Sequence, residues 1–166
     1  MRCKPSGVFP YLLLTPHWCW ERLRHREESD LADVPGFAGI IIPWSAELDL
    51  VTISADDGLC SMRLPSRAAL ADHADGIAPG AVASLIDHVC GAAIMSRQMP
   101  ISISTLNLKI DHIRPATPGS DVTAWGHCYR MTDAFAFVRV EVWDQDPSDV
   151  FATAQAVFSV KHRAAA

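Results

Sequence analysis

One carboxylate stands in a segment that is otherwise apolar or small. Between Pro79 and Ser96 only Asp87 and His88 can carry a charge. The apolar residues have helical spacing and the remaining positions are uncharged, so the segment is predicted to be a helix buried on all sides. A carboxylate there is costly unless it is paired or hydrogen-bonded, and Asp is a poor helix former. Asp87 is therefore either a catalytic carboxylate with restricted access to water or a structural residue paired with His88, His112 or an arginine.

The side of the helix that carries Asp87 is built from small residues. On a helical wheel Asp87 lies with Gly80, Ser84 and Gly91, a strip that another backbone or a thin ligand can approach closely. Pro79 suits the first helical position. The amides that follow it, with the positive end of the helix dipole, favour a developing oxyanion. Every helix has such a start, so this second signal is weak by itself.

One long helix and six strands are predicted to position these groups. The helix spans Pro79 to Arg97, and Asp57-Gly58 between two apolar runs is a strong hairpin signal. Turn residues separate the later strands. The predicted strands are Leu48 to Asp56, Leu59 to Leu64, Ser102 to Ile113, Asp121 to Met131, Phe135 to Trp143 and Val150 to Val160.

The late strands alternate between apolar and polar side chains. Val138, Val140 and Val142 point one way, while Arg139 and Glu141 point the other. Such alternation is typical of an antiparallel sheet with one covered face. The predicted fold is α+β, a curved antiparallel sheet wrapped around one central helix.

Two regions are predicted along the chain. Residues 45–166 form the α+β domain. Residues 1–44 hold a proline-broken apolar patch and then a mixed-charge stretch, so they are predicted to be an N-terminal extension with a peripheral helix.

Bulk properties exclude several classes of protein. The 166 residues fit one compact domain, and a net charge of −5 argues against nucleic acid as a partner. No apolar run is long enough for a membrane span. The five cysteines are scattered without zinc-like spacing, so we expect reduced thiols, no metal site and a cytoplasmic location.

Two motifs resemble a known family. The string from Asp75 to His88, DGIAPGAVASLIDH, resembles the helix signature of the hotdog thioesterases, especially the phenylacetate-pathway and 4-hydroxybenzoyl-CoA thioesterases. The string from Ser104 to Ala116, STLNLKIDHIRPA, resembles the next strand and its exit turn. The resemblance covers residues 45–160. It implies a hotdog fold and hydrolysis of acyl-coenzyme A to the free acid and coenzyme A, with no cofactor.

The resemblance also implies roles for individual residues. Asp87 takes the place of the family's helix aspartate, which acts as general base or nucleophile. The amides of Gly80 and Ala81 would polarise the thioester carbonyl, and Thr105 would help to place water or substrate. Ala78-Pro79-Gly80 departs from the His-Gly-Gly of many relatives. The residues expected to contact substrate are Asp72, His73, Ser84 and Arg114.

Partners follow from the same resemblance. Hotdog domains pair their sheets edge to edge, so we expect a homodimer or a dimer of dimers in which strand residues near Thr105 of one chain face Asp87 of the other. The cations available for coenzyme A phosphates are Arg97, Lys109, Arg114 and Arg130. Two alternatives stay open. One is a hydroxyacyl-thioester dehydratase that uses His73 with Asp87, and the other is a non-catalytic module that binds acyl-CoA.

Overall fold

A short helix opens the described part of the chain. The computed structural model describes residues 43–162, so almost all of the predicted extension lies outside the described residues. Helix α1 (Pro43–Leu48) crosses the predicted boundary between residues 44 and 45. The prediction that Leu48 begins a strand is wrong, because Leu48 ends this helix and is fully buried. Asp49 has a φ of 52°, and this left-handed residue separates α1 from the first strand.

The remaining elements follow the predicted order. The long helix is α2 (Pro79–Arg97), as predicted residue for residue. A single turn of 3-10 helix, Ala68–Leu70, precedes it. The strands are β1 (Val51–Asp56), β2 (Leu59–Leu64), β3 (Ser102–His112), β4 (Val122–Met131), β5 (Phe135–Trp143) and β6 (Ala152–Lys161).

All six strands form one antiparallel sheet in the order β1-β2-β4-β5-β6-β3. The turn between β1 and β2 has positive φ at both central residues, 42° at Asp57 and 83° at Gly58. This is the backbone of a type I′ turn, for which Asp-Gly is a preferred sequence. Strand β3 pairs with β6 on one side and lies at the edge of the sheet on the other.

Helix α2 packs across one face of the sheet. Val138, Val140 and Val142 point inward and are buried, as the alternation predicts. At Gly126 a Cβ atom would lie 2.5 Å from Val89 Cγ1, so this glycine allows the helix to approach β4 closely. The helix is long and apolar enough to cross a membrane, but half of its apolar window is buried against the sheet, as in the core helix of a domain. The predicted α+β architecture, one helix against a six-stranded antiparallel sheet, is confirmed.

The prediction that α2 is buried on all sides is wrong for the single chain. Gly80 is exposed, and Ser84, Asp87 and His88 are partly exposed. The sheet curves around only part of the helix, and β3 at its edge is the strand nearest this side. Within residues 43–162 the part of the strip from Gly80 to Asp87 therefore forms an open surface, whereas Gly91 is buried next to Ile103.

Candidate active site

A hydrogen bond joins the two residues that the sequence singled out for chemistry. Thr105 Oγ1 on β3 donates to Asp87 Oδ1 on α2 at 2.9 Å. The two residues belong to the same chain. For Thr105 itself, this corrects the expectation that strand residues here face Asp87 of a partner. The bond holds one carboxylate oxygen. The other, Oδ2, has no hydrogen-bond partner among residues 43–162 and can accept one from water or substrate.

An irregularity in β3 aims Thr105 at the helix. The pairing with β6 runs from Thr105 opposite Phe158 to Asn107 opposite Val157, so Leu106 is an extra residue. A bulge of this kind shifts the alternation of side chains by one position. Ile103 and Thr105 before it, and Leu108 and Ile110 after it, all point toward the helix. Leu106 points away and is 57% exposed.

The structural alternative for Asp87 required a charged partner. No ion pair involves Asp87 in the described part of the chain. His88 instead contacts the main chain, with its Nδ1 2.7 Å from the carbonyl oxygen of Ser84, and its buried Nε2 has no partner among the described residues. His112 lies exposed at the end of β3. The carboxylate is thus oriented by a hydroxyl group and not neutralised by a salt bridge.

The start of α2 offers one amide rather than two. Pro79 has no N–H, and the amides of Ala81 and Val82 both donate to the carbonyl oxygen of Ala78, at 2.9 and 3.1 Å. The expected role of the Ala81 amide therefore does not fit this geometry. Gly80 keeps an N–H without a partner among residues 43–162. A Cβ atom at Gly80 would meet nothing within 4 Å, so the space beside this amide is open.

The loop before α2 is organised by Asp72. Its Oδ1 accepts hydrogen bonds from the amides of Ala74 at 2.8 Å and Gly76 at 3.3 Å. His73 is exposed beside it. No hydrogen bond joins His73 to Asp87 within the described residues.

Ser84 lies between Gly80 and Asp87 on the open strip. Its Oγ donates to the carbonyl oxygen of Gly80 at 3.1 Å and accepts a hydrogen bond from Trp44 Nε1 at 3.2 Å. The indole of Trp44 is 57% exposed. This contact was not predicted from the sequence, because Trp44 precedes Ser84 by 40 residues.

Arg114 is engaged by two carboxylates and is not a free cation. Its terminal nitrogens bind Asp144 at 2.8 and 2.9 Å and Asp149 at 2.9 Å, and the guanidinium lies over the ring of Phe151. Arg114 and the amide of Thr117 hold the pKa of Asp144 well below its usual range. The expected role of Arg114 as a ligand of coenzyme A phosphate is therefore unsupported.

The other predicted cations differ in their partners. Lys109 binds Asp111 at 2.7 Å on the exposed edge strand. Arg97 donates to the carbonyl oxygen of Cys128 at 3.2 Å. Arg130 is exposed, and its guanidinium forms no hydrogen bond or ion pair within residues 43–162.

A cavity of about 370 Å³ opens beside the start of α2. Asp72, His112 and Arg114 contribute polar groups to its wall. The apolar part of the wall consists of Ile77, Pro79, Val82, Ile113, Pro115, Ala116 and Phe151. Asp87 is not part of this wall. The sequence did not predict the cavity, because its wall combines a loop, a helix start and the exit turn of β3.

Buried thiols are not candidates for the chemistry. Cys60, Cys90 and Cys128 are buried and unpaired. Burial raises the pKa of the Cys60 thiol, and burial together with the charge of Asp87 raises that of Cys90. A nucleophilic cysteine needs the opposite shift. Within residues 43–162 no group of His, Cys, Asp or Glu side chains is arranged to hold a metal ion.

Known proteins share this fold. Residues 77–151 match the family model described as Thioesterase superfamily. A conserved protein from Pseudomonas aeruginosa is 28% identical, with a TM-score of 0.66 over 72% of this chain and 94% of that chain. No curated protein matches the sequence.

Two further structures are less similar in sequence and show the fold alone. The phenylacetic acid degradation protein PaaI from Thermus thermophilus is 21% identical, with a TM-score of 0.64 over 71% of this chain and 98% of that chain. Thioesterase superfamily member 2 from Mus musculus is 15% identical, with a TM-score of 0.63 over 70% and 86% of the two chains.

Proposed function

The chain is a member of the thioesterase superfamily through residues 77–151, with that family's hotdog fold, and from this premise we propose that it hydrolyses acyl-coenzyme A thioesters. The observation that carries the proposal is the 2.9 Å hydrogen bond from Thr105 to Asp87. It fixes a carboxylate that has no charged partner in residues 43–162 and leaves one oxygen able to take a proton from water. That is the geometry of an oriented general base.

The reaction needs few groups. Asp87 removes a proton from water, and the hydroxide attacks the thioester carbonyl carbon. The negative charge that develops on the carbonyl oxygen is stabilised by the Gly80 N–H and the positive end of α2. The tetrahedral intermediate then breaks its C–S bond. A thiol has a pKa of about 8.5, so coenzyme A leaves as a thiolate without a strong acid, and the acyl group leaves as the free acid.

Two copies of the chain are needed to assemble this site. Gly80 and Asp87 are seven residues apart on one helix, a rise of roughly 10 Å. A carbonyl oxygen bound at Gly80 therefore leaves its carbon out of reach of water held by Asp87 of the same helix. In a two-fold dimer, if one residue of the first chain contacts a different residue of the second, the same contact also occurs with the two chains exchanged. We propose that the Gly80 amide of one protomer acts with the Thr105–Asp87 pair of its partner.

The edge of the sheet supports this pairing. Strand β3 has 11 residues and pairs with a described strand on one side only. An unpaired edge presents N–H and C=O groups that can add another strand. A homodimer joined through the two β3 strands would also bring the open sides of the two α2 helices together.

The primary test is thiol release from a panel of acyl-CoA substrates by the purified full chain. Asp87→Asn should lower kcat/KM by about a hundredfold or more, because it removes the base. The matched control is Asp133→Asn, an exposed aspartate in the turn between β4 and β5, which should stay within about twofold of the unaltered protein. Wild-type turnover by Asp87→Asn would remove the mechanism. Tight binding of acyl-CoA without thiol release would favour the non-catalytic alternative.

Subunit complementation tests the shared site. Asp87→Asn and Gly80→Phe each disable one half of the proposed shared site, so a dimer of either variant alone should be inactive. In a mixed dimer one site combines the intact Gly80 of the first chain with the intact Asp87 of the second. Random exchange makes about half of the dimers mixed, and half of their sites are intact, so about a quarter of the activity should return. If each site lay within one chain, mixing would restore nothing.

A further inference from the structure

The cavity beside the start of α2 lies where the acyl part of a substrate would extend from the carbonyl. Pro79 and Val82 form part of its wall, and Gly80 lies between them in sequence with open space beside its amide. A substrate whose carbonyl oxygen is bound to the Gly80 N–H can therefore extend in two directions. One runs along the open strip toward Ser84, and the other runs into the cavity.

The charges around the cavity decide which part of the substrate enters it. The cation in its wall, Arg114, is bound by the carboxylates of Asp144 and Asp149. Asp144 and Asp149 lie behind the wall, and Asp72 is a third carboxylate, within the wall itself. Three carboxylates and one guanidinium leave a net negative charge around the cavity, which repels the phosphates of coenzyme A. A neutral apolar group meets no such penalty.

We infer that this cavity binds the acyl group and limits its size, so that the protein prefers neutral aliphatic or aryl acyl groups of medium length; the inference rests on the proposed function. A water molecule takes about 30 Å³ in the liquid, and a methylene is similar in heavy-atom size. A cavity of about 370 Å³ therefore holds on the order of ten heavy atoms. Chains up to about that length gain contacts, and longer ones extend back into water.

Binding of S-alkyl-coenzyme A thioethers, which cannot be hydrolysed, tests the cavity apart from catalysis. For the S-ethyl, S-hexyl, S-decyl and S-hexadecyl compounds, the dissociation constant should fall about threefold to fourfold per buried methylene and level off near ten carbons. A dissociation constant that does not change with chain length would overturn the inference. So would one that keeps falling to hexadecyl.

Two substitutions should move the limit in opposite directions. Ala116→Phe fills part of the cavity and should weaken binding of the S-decyl compound at least tenfold, while binding of the S-ethyl compound changes less than about twofold. Val82→Ala enlarges the cavity and should extend the gain to longer chains. The matched control is Ala134→Phe, at an exposed residue directly before β5. The cavity lies near the other end of that strand, where Asp144 binds Arg114, roughly 30 Å away along the strand. Ala134→Phe should change neither value.

The outcomes separate the two proposals. If the unaltered chain releases no thiol but binds thioethers with the predicted dependence on length, the hydrolysis proposal fails and the cavity assignment stands. If thiol release is robust but neither Ala116→Phe nor Val82→Ala changes the dependence on length, the cavity assignment fails. Circular dichroism shows whether each variant is folded, and either variant in folded form is sufficient for the test.

Discussion

The hydrogen bond from Thr105 to Asp87 gives a quantitative test of the catalytic pair. Thr105→Val keeps the shape of the side chain and removes the hydroxyl that donates to Asp87 Oδ1 at 2.9 Å. A hydrogen bond to a charged group contributes about 1.5–3 kcal/mol. Thr105 is exposed, so water competes for the carboxylate and about 1–1.4 kcal/mol is the expected share. That corresponds to a loss of about fivefold to tenfold in kcat/KM.

A double-mutant cycle isolates this contribution. Thr105→Val should cost about fivefold to tenfold in the unaltered chain and less than about twofold in Asp87→Asn, because the charge that the hydroxyl orients is then gone. Thr105→Ser keeps the O–H donor and should stay close to wild type. The measurement is thiol release with one acyl-CoA under subsaturating conditions. Equal losses in both backgrounds would refute the claim that Thr105 acts by orienting Asp87.

Three further predictions test other parts of the site and fold. Gly80→Ala should leave the thermal midpoint of unfolding unchanged or slightly raised, since a Cβ there meets nothing within 4 Å and Ala favours helix. The same variant should lower kcat/KM at least tenfold, and unchanged activity would remove Gly80 from the site. Asp144→Asn should lower the free energy of unfolding in urea by about 2–3 kcal/mol at pH 7, because it breaks a mostly buried pair with Arg114. The folded-state pKa of Asp144 is lowered, so its contribution to stability is complete at neutral pH and is lost as the pH falls below about 4. The difference in free energy of unfolding between Asp144→Asn and wild type should therefore narrow at low pH. A difference that stays constant with pH would contradict this reasoning. Gly126→Ala should lower the free energy of unfolding by about 2 kcal/mol or more, because its Cβ would lie 2.5 Å from Val89 Cγ1, and Val89→Ala in the same chain should recover part of that loss.

Local chemical signals predicted most of the fold. Asp57-Gly58 predicted the first hairpin, because a type I′ turn requires two residues that tolerate positive φ. The helix from Pro79 to Arg97 was predicted from its apolar spacing and its proline start. The prediction for Leu48 failed because Asp49 adopts a left-handed conformation. Period-two spacing of leucines does not reveal such a break in the chain.

The site was harder to predict than the fold, because its contacts depend on tertiary geometry. Asp87 was recognisable as a carboxylate in an apolar segment. The bulge at Leu106, which turns Thr105 toward it within the same chain, leaves no mark in composition. Arg114 was counted as a free cation because the sequence does not show that Asp144 and Asp149 converge on it. The division at residue 45 and the cytoplasmic location stay predictions.

Three features that are unfavourable in an isolated chain have one common solution. Within residues 43–162, helix α2 leaves the side with Gly80 and Asp87 uncovered and strand β3 leaves one edge unpaired. The amide and the carboxylate needed by one carbonyl stand roughly 10 Å apart. Pairing two β3 edges about a two-fold axis supplies the missing backbone partners. In the proposed dimer the same axis would lay the two helices antiparallel and bring Gly80 of one chain toward Asp87 of the other. The exposed strip, the free edge and the divided site therefore all favour the same dimer, and complementation between Asp87→Asn and Gly80→Phe tests that dimer through the chemistry itself.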